Sequence, residues 1–142
     1  MCLLERVVSW NAERIECEAE NQREPEHPLR AHGRLGITCG IEYAAQAMAV
    51  HGALLAEAAG HDPATPVAGY LTSVRGVSLH AGRLDDVQGR LTVRAERVLG
   101  DANTIVYSFE LAAGARPLLS GRATVVLDAS IAARIGMKDR HD

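Results

Sequence analysis

The sequence has no excess of basic residues, no cysteine pair at metal or redox spacing, no long apolar run and no repeat. Each absence removes a class of function. Fifteen Lys and Arg stand against eighteen Asp and Glu, a net charge of -3, so the positive field that holds a phosphate backbone is missing and nucleic acid is not an expected partner. Cys2, Cys17 and Cys39 are odd in number and far apart. Neither a disulfide framework nor a zinc knuckle is expected, and a reducing cytoplasm is the expected location. The longest weakly charged run, Tyr43 to Ala56, spans 14 residues and contains Gln46 and His51, short of the roughly 20 apolar residues of a membrane span. The opening MCLLERVV lacks a basic stretch followed by an apolar one, so no secretory leader is expected. G-x-S-x-G and Gly-rich phosphate motifs are missing as well, which removes a hydrolase triad at Ser78 to His80 and the common nucleotide loops.

What is present suits one folded domain. The 142 residues are 47% hydrophobic and 23% charged, enough to bury a core without disulfide or metal staples. A single domain is expected over residues 1–128, with a polar, frayed tail over 129–142. Periodicity predicts strands over Cys2–Trp10 and Arg14–Ala19, joined by a hairpin at Asn11-Ala12-Glu13. A polar stretch, Glu20 to Gly36, carries Pro25, Pro28, Gly33 and Gly36 and reads as a loop. A turn follows at Gly60-His61-Asp62-Pro63. Further strands are predicted over Gly69–His80, Leu91–Val98, Thr104–Ala112 and Leu118–Leu127. Turn signals at hairpin distances between these four imply a largely antiparallel meander.

Between the two groups of strands lies GIEYAAQAMAVHGALLAEAAG, predicted to be a helix starting near Thr38 to Gly40, with Thr38 as its N-cap, and ending near Gly60. It is apolar around nearly its whole circumference, the pattern of a helix enclosed on most sides. Strands, one long helix, then strands define an α+β class: an antiparallel sheet curled around one helix. A single helix covers one sheet face and leaves an edge and part of itself bare, so a homo-oligomer formed through a sheet edge is expected.

Glu42 and Gln46 sit four apart and share a helical face in this apolar segment. Burial would favour the protonated form of Glu42, suiting it to donate and accept protons, unless it caps the helix or pairs with an arginine such as Arg34. His27 and His32 lie in the loop just ahead of the helix, and either can be folded back toward Glu42; an imidazole and a carboxyl together remove a proton at one atom and deliver one at another. His51, on the opposite side of the helix, reads as a hydrogen-bonded structural histidine. His61, His80 and His141 read as surface residues. Cys39 reads as a small buried residue rather than an activated thiol. The spacing of His27, His32 and Cys39 matches no familiar finger, so no metal is expected, and no cofactor is implied.

The arrangement resembles the hotdog fold, and within it the β-hydroxyacyl-acyl-carrier-protein dehydratases, especially the divergent group linked to aryl polyene lipid synthesis. MCLLERVVSW looks like that family's first strand, with Glu5 where Asp is common; GIEYAAQAMAVHGALL looks like the opening of its central helix, with Glu42 and Gln46 in the E-x-x-x-Q places; GYLTSVRGVSLH resembles the strand that follows. The resemblance implies dehydration of (3R)-hydroxyacyl thioesters, with Glu42 as acid, His27 as base, and Gln46, Gly40 and Ile37 lining the substrate. It implies an acyl-carrier protein as partner, with Arg30, Arg34, Arg75 and Arg83 as candidate contacts, and a site in which histidine and acid come from different subunits. A hotdog thioesterase and a non-catalytic, acyl-binding subunit complexed with a catalytic paralogue are the alternatives.

The sequence departs from the family pattern at three points. The H-F-P-G histidine stands fourteen residues before the acid, a place held here by Pro28, with His27 one step earlier. This leaves His27, His32, or a histidine replaced by Gln22, open as the assignment. The proline-glycine pair at the helix entrance is Gly36-Ile37 here. Residues that typically precede the first strand are missing, so the native start is expected upstream.

Overall fold

The computed structural model of the chain describes residues 2–60, 69–101 and 103–127. Most of the expected turn around Gly60, the histidines His61 and His141, and the 129–142 tail lie outside the described residues. The elements are β1 (Arg6–Trp10), β2 (Arg14–Ala19), a 3-10 turn (Ile37–Cys39), α1 (Gly40–Ala58), β3 (Gly69–Leu79), β4 (Leu91–Gly100), β5 (Thr104–Ala113) and β6 (Arg116–Leu127). All six strands pair antiparallel in one sheet, ordered β1-β2-β4-β5-β6-β3. The expected α+β architecture, an antiparallel sheet on one long helix, is therefore what the chain adopts.

Alternation fixes which sheet face meets the helix. Ile105, Tyr107, Phe109 and Leu111 of β5 point inward and are buried, as are Leu91, Val93 and Ala95 of β4 and Ile15, Cys17 and Ala19 of β2. A one-residue slip in any of these strands would turn its apolar row outward. The Asn11 side chain accepts the N–H groups of Glu13 and Arg14, each at 2.9 Å, and so closes the predicted first hairpin. Asp101 closes the β4–β5 hairpin in the same way through Asn103 and Thr104.

Four expectations are corrected. The first strand starts at Arg6, not Cys2, because the backbone groups of Leu3 bond to side chains instead of a ladder: its N–H donates to Gln46 Oε1 (2.7 Å) and its C=O accepts from Asn21 Nδ2 (2.9 Å). Thr38 is not an N-cap; it is exposed inside the 3-10 turn, and α1 begins without a side-chain cap. The later strands are not a simple meander, since β3 pairs with β6 at an edge. The Gly82–Gly89 segment is a crossover rather than a hairpin: Leu84 N–H donates to Leu35 O (2.7 Å) and Ile37 N–H to Gly82 O (3.2 Å), tying it to the helix entrance.

The fourth correction concerns the helix. Its buried residues are Gly40, Tyr43, Ala44, Ala47, Met48 and His51, a single face at the helical period. Glu42, Ala49, Ala53 and Glu57 are exposed. The sheet covers one side of α1 and leaves a stripe of small residues beside Glu42 open. The edge strand β3 is exposed along nearly its whole length, with Tyr70, Leu71, Val77 and Leu79 among its uncovered apolar side chains.

Candidate functional site

The loop ahead of α1 is wound around one guanidinium. Arg30 donates to the carbonyls of Glu24 (2.8 Å), Arg23 (3.1 Å) and Gly33 (3.1 Å) and lies 3.6 Å from Asp85. Asp85 also accepts the Leu35 N–H (3.0 Å) and a two-point contact from Arg83, which holds its carboxyl well below the usual carboxylate range. The His32-Gly33 turn, with φ of 53° and 76°, reverses the chain between Ala31 and Arg34. This scaffold turns His27 inward, where it is 4% exposed.

His27 is fully hydrogen-bonded. Leu29 N–H donates to its Nδ1 (3.1 Å), so the neutral ring carries its proton on Nε2, which lies 2.8 Å from the Tyr43 hydroxyl. Tyr43 in turn donates to Asn21 Oδ1 (2.7 Å), whose amide nitrogen donates to Leu3 O. Burial pushes the imidazole below its ordinary value; Glu24 opposes that shift and Arg30 adds to it. Burial also raises the Tyr43 hydroxyl, so it acts here as a hydrogen-bonding group and not as an anion.

The expected site residues do not all converge. Glu42 is exposed, contrary to the expected burial, and among the described residues it forms no ion pair with a histidine or with Arg34. The helix explains this: Tyr43, one residue on, points into the core toward His27, and successive side chains diverge by about 100°. His32 is exposed at its turn tip. Gln46 shares the helix face with Glu42, but its oxygen holds the Leu3 amide. Ile37 is buried and its amide bonds to Gly82 O, while the Gly40 amide is directed at the carbonyls of Ile37 and Thr38. Gln22 is buried, with its amide nitrogen on Val87 O (2.9 Å) and Gly89 O (2.8 Å), a strut from the loop to the crossover.

Of the arginines expected to meet a carrier protein, Arg30 and Arg83 are committed to Asp85. Arg34 is exposed near the loop, and Arg75 lies on the outer sheet face. His51 is the structural histidine expected of it: Nε2 donates to Asn11 O (2.7 Å), and Nδ1 receives the Tyr107 hydroxyl (2.7 Å). Cys39 is half-buried, and burial raises its thiol. No group of three or more His, Cys, Asp or Glu side chains among the described residues is placed to hold a metal, and no described helix is long and apolar enough to cross a membrane. Sequence reasoning missed Tyr43, Asn21 and Asp85. A lone tyrosine in an alanine-rich helix was a readable signal for the first; the other two depend on tertiary placement.

A six-stranded antiparallel sheet wrapped on one long helix, with a polar network at the helix entrance, defines the hotdog class. The chain belongs to the ApeP-like family, described as ApeP dehydratase, whose sequence pattern matches residues 1–135. Among solved structures it is similar to the dehydratase heterocomplex ApeI:P from Xenorhabdus doucetiae (22% identity, 88% of this chain and 82% of that one, TM-score 0.76). It is also similar to a thioesterase from Haemophilus influenzae (13% identity, 85% and 76% covered, TM-score 0.61). A thioesterase family protein from Silicibacter pomeroyi is comparable (16% identity, 88% and 85% covered, TM-score 0.61). At these identities the likenesses speak for the fold. None of the curated proteins matches the sequence.

Proposed function

We propose that this chain is a subunit of a 3-hydroxyacyl-acyl-carrier-protein dehydratase, cytoplasmic and of the aryl polyene type, with a site completed across a subunit interface. The observation that carries this, within a dehydratase family, is that Glu42 opens outward from the first turn of α1 while Tyr43, one residue on, points inward to His27 in the preceding loop. An acid that opens outward beside a bare stripe of small residues supports a site that a second subunit's base completes. A partner closing over Glu42 excludes water from the site.

In the reaction, an imidazole removes the α-proton of the thioester, Glu42 protonates the 3-hydroxyl, the C3–O bond breaks, and the electron pair of the broken C2–H bond becomes the C2=C3 double bond. Water and a trans-2-enoyl thioester leave. Of the amides at the helix entrance, those of Ile37, Cys39 and Gly40 are already bonded to carbonyls of the chain, so they are not the donors to the thioester carbonyl. In a homodimer the imidazole is His27 of the second copy, which must then give up the Leu29 amide to free a lone pair.

That requirement favours a second reading: with both His27 nitrogens bonded, the histidine is structural, and a catalytic paralogue supplies the base in a hetero-complex. Enoyl-product formation from a 3-hydroxyacyl-carrier substrate tests both. The chain is assayed alone and with a dehydratase paralogue, using wild type, Glu42→Gln and His27→Asn. Turnover alone, lost in both variants, supports the homomeric site. Turnover only with the paralogue, lost in Glu42→Gln alone, supports the hetero-complex. Unchanged activity in Glu42→Gln removes Glu42 from the mechanism, and release of free thiol without enoyl product identifies a thioesterase.

A further inference from the structure

The outer sheet face, away from the helix, balances its charges in one row and not in the next. Arg94 of β4 sits between Glu16 and Glu110, 2.7 Å and 3.1 Å from their oxygens. In the neighbouring row Arg75 of β3 stands directly opposite Arg122 of β6. Like charges opposed across strands destabilise a sheet, and among the described residues neither arginine forms an ion pair.

These two arginines border a cleft of about 500 Å³ whose other walls are Gly76, Val98, Leu99 and Val106. Irregularities in pairing flank it on both sides, one between Arg75 and Ser78 and one between Arg97 and Leu99. Gly76 has φ of 63°, a conformation that side-chain-bearing residues rarely adopt. Bulges of this kind bend strands and re-aim side chains beside binding sites. Leu99, at 72%, is the most exposed of the large apolar side chains described, and it lies opposite Val106 on the same face.

We infer that this cleft binds a soluble phosphate monoester carrying an apolar substituent. Two guanidinium forks match a dianion with three terminal oxygens, whereas a carboxylate is satisfied by one. Leu99, Val98 and Val106 supply the wall for the attached carbon chain. A bilayer surface is the weaker fit: polybasic membrane patches gather four to eight Lys or Arg, whereas this face offers three arginines without an ion pair among the described residues, Arg14, Arg75 and Arg122, with Glu96 opposite Arg14 and Glu110 also on it. The site is independent of the dehydratase reading, since it lies on the opposite face of the sheet from α1.

Calorimetric titration of the full chain with hexyl phosphate, inorganic phosphate, hexanoate and hexanol tests the inference. Hexyl phosphate saturates a single site and binds more tightly than inorganic phosphate or hexanoate, and hexanol gives no signal. Arg75→Ala and Arg122→Ala each weaken hexyl phosphate about tenfold. Leu99→Ser weakens hexyl phosphate while sparing inorganic phosphate, and Arg94→Ala changes neither. All four positions are exposed, and a cooperative melting transition, raised where Arg75 or Arg122 is removed because opposed like charges are relieved, confirms that the variants fold. Failure to saturate with hexyl phosphate, or equal losses in Arg94→Ala and Arg75→Ala, overturns the site. Arginine-dependent binding to phosphatidylglycerol vesicles without binding of hexyl phosphate overturns the assignment to a soluble ligand.

Discussion

His27 Nε2 lies 2.8 Å from the Tyr43 hydroxyl, and that contact joins the loop ahead of the helix to the helix itself. The Tyr43 oxygen accepts from His27 and donates to Asn21, so three chain segments share one buried hydroxyl. Removing it leaves the buried imidazole N–H and the half-buried amide oxygen of Asn21 without their partner. Tyr43→Phe is therefore expected to cost about 1–3 kcal/mol, lowering Tm by roughly 4–12 °C at this chain length. A melting curve that coincides with wild type would mean that the network contributes nothing.

Acid should weaken the fold through its two buried imidazoles. Burial holds His27 and His51 below their ordinary value, so near neutral pH both are neutral in the folded chain. In the unfolded chain each takes up a proton near pH ~6.5. The unfolded state then binds more protons, and stability that is complete above that pH is lost as pH falls toward the folded-state values. The slope is at most about 1.4 kcal/mol per pH unit for each imidazole. Urea unfolding from pH 8 downward should show this decline, with the two ring resonances titrating below ~6.5. Midpoints above that value would contradict it.

Much of this architecture was legible because its strands alternate. β2 runs over Arg14–Ala19 as expected, and the inward row of β5 is the one its apolar residues marked. The site was harder to read. Alanines leave little trace of which face they bury, so the helix looked enclosed when only the face through Tyr43 and His51 is covered. Glu42 shares its apolar surroundings in sequence but not in space. The pairing of β3 with β6, and the engagement of Leu3 by Gln46 and Asn21, arise from contacts between distant segments that no local pattern encodes.

Gly40 is the place where the helix start meets the sheet. A Cβ there would overlap Leu119 Cδ2 and come within 2.7 Å of Leu111 Cδ2. Both leucines are fully buried, so neither can swing aside. Gly40→Ala is expected to destabilise by about 1–3 kcal/mol despite alanine's better helix propensity. Gly52, whose added Cβ meets nothing within 4 Å, provides the control: Gly52→Ala should be neutral or stabilising by up to about 1 kcal/mol. Equal unfolding free energies for the two variants would show that the close approach at Gly40 is relaxed at little cost.

Asp85 links the crossover to the loop that carries His27, and its removal should loosen that loop before it unfolds the domain. The carboxylate holds Arg83, approaches Arg30 and accepts the Leu35 amide. Arg30 in turn gathers the carbonyls of Arg23, Glu24 and Gly33. Asp85→Asn keeps the size but removes the charge. Because the Arg83 side chain is 40% exposed, solvent screening limits the loss to about 1–2 kcal/mol. Hydrogen exchange separates local from global loosening: the Leu29 and Leu35 amides should exchange faster in Asp85→Asn, while central β5 amides such as Phe109 slow or quicken only with global stability. The depressed folded-state value of Asp85 also sets a sign. Its contribution is complete above ~3.9, where the unfolded carboxyl titrates, and is lost as pH falls through the lower folded value. The stability gap between wild type and Asp85→Asn should thus hold constant from neutral pH to mild acid and narrow only below that point; a gap that closes near neutrality would mean that the ion pairs at Asp85 do not hold the loop.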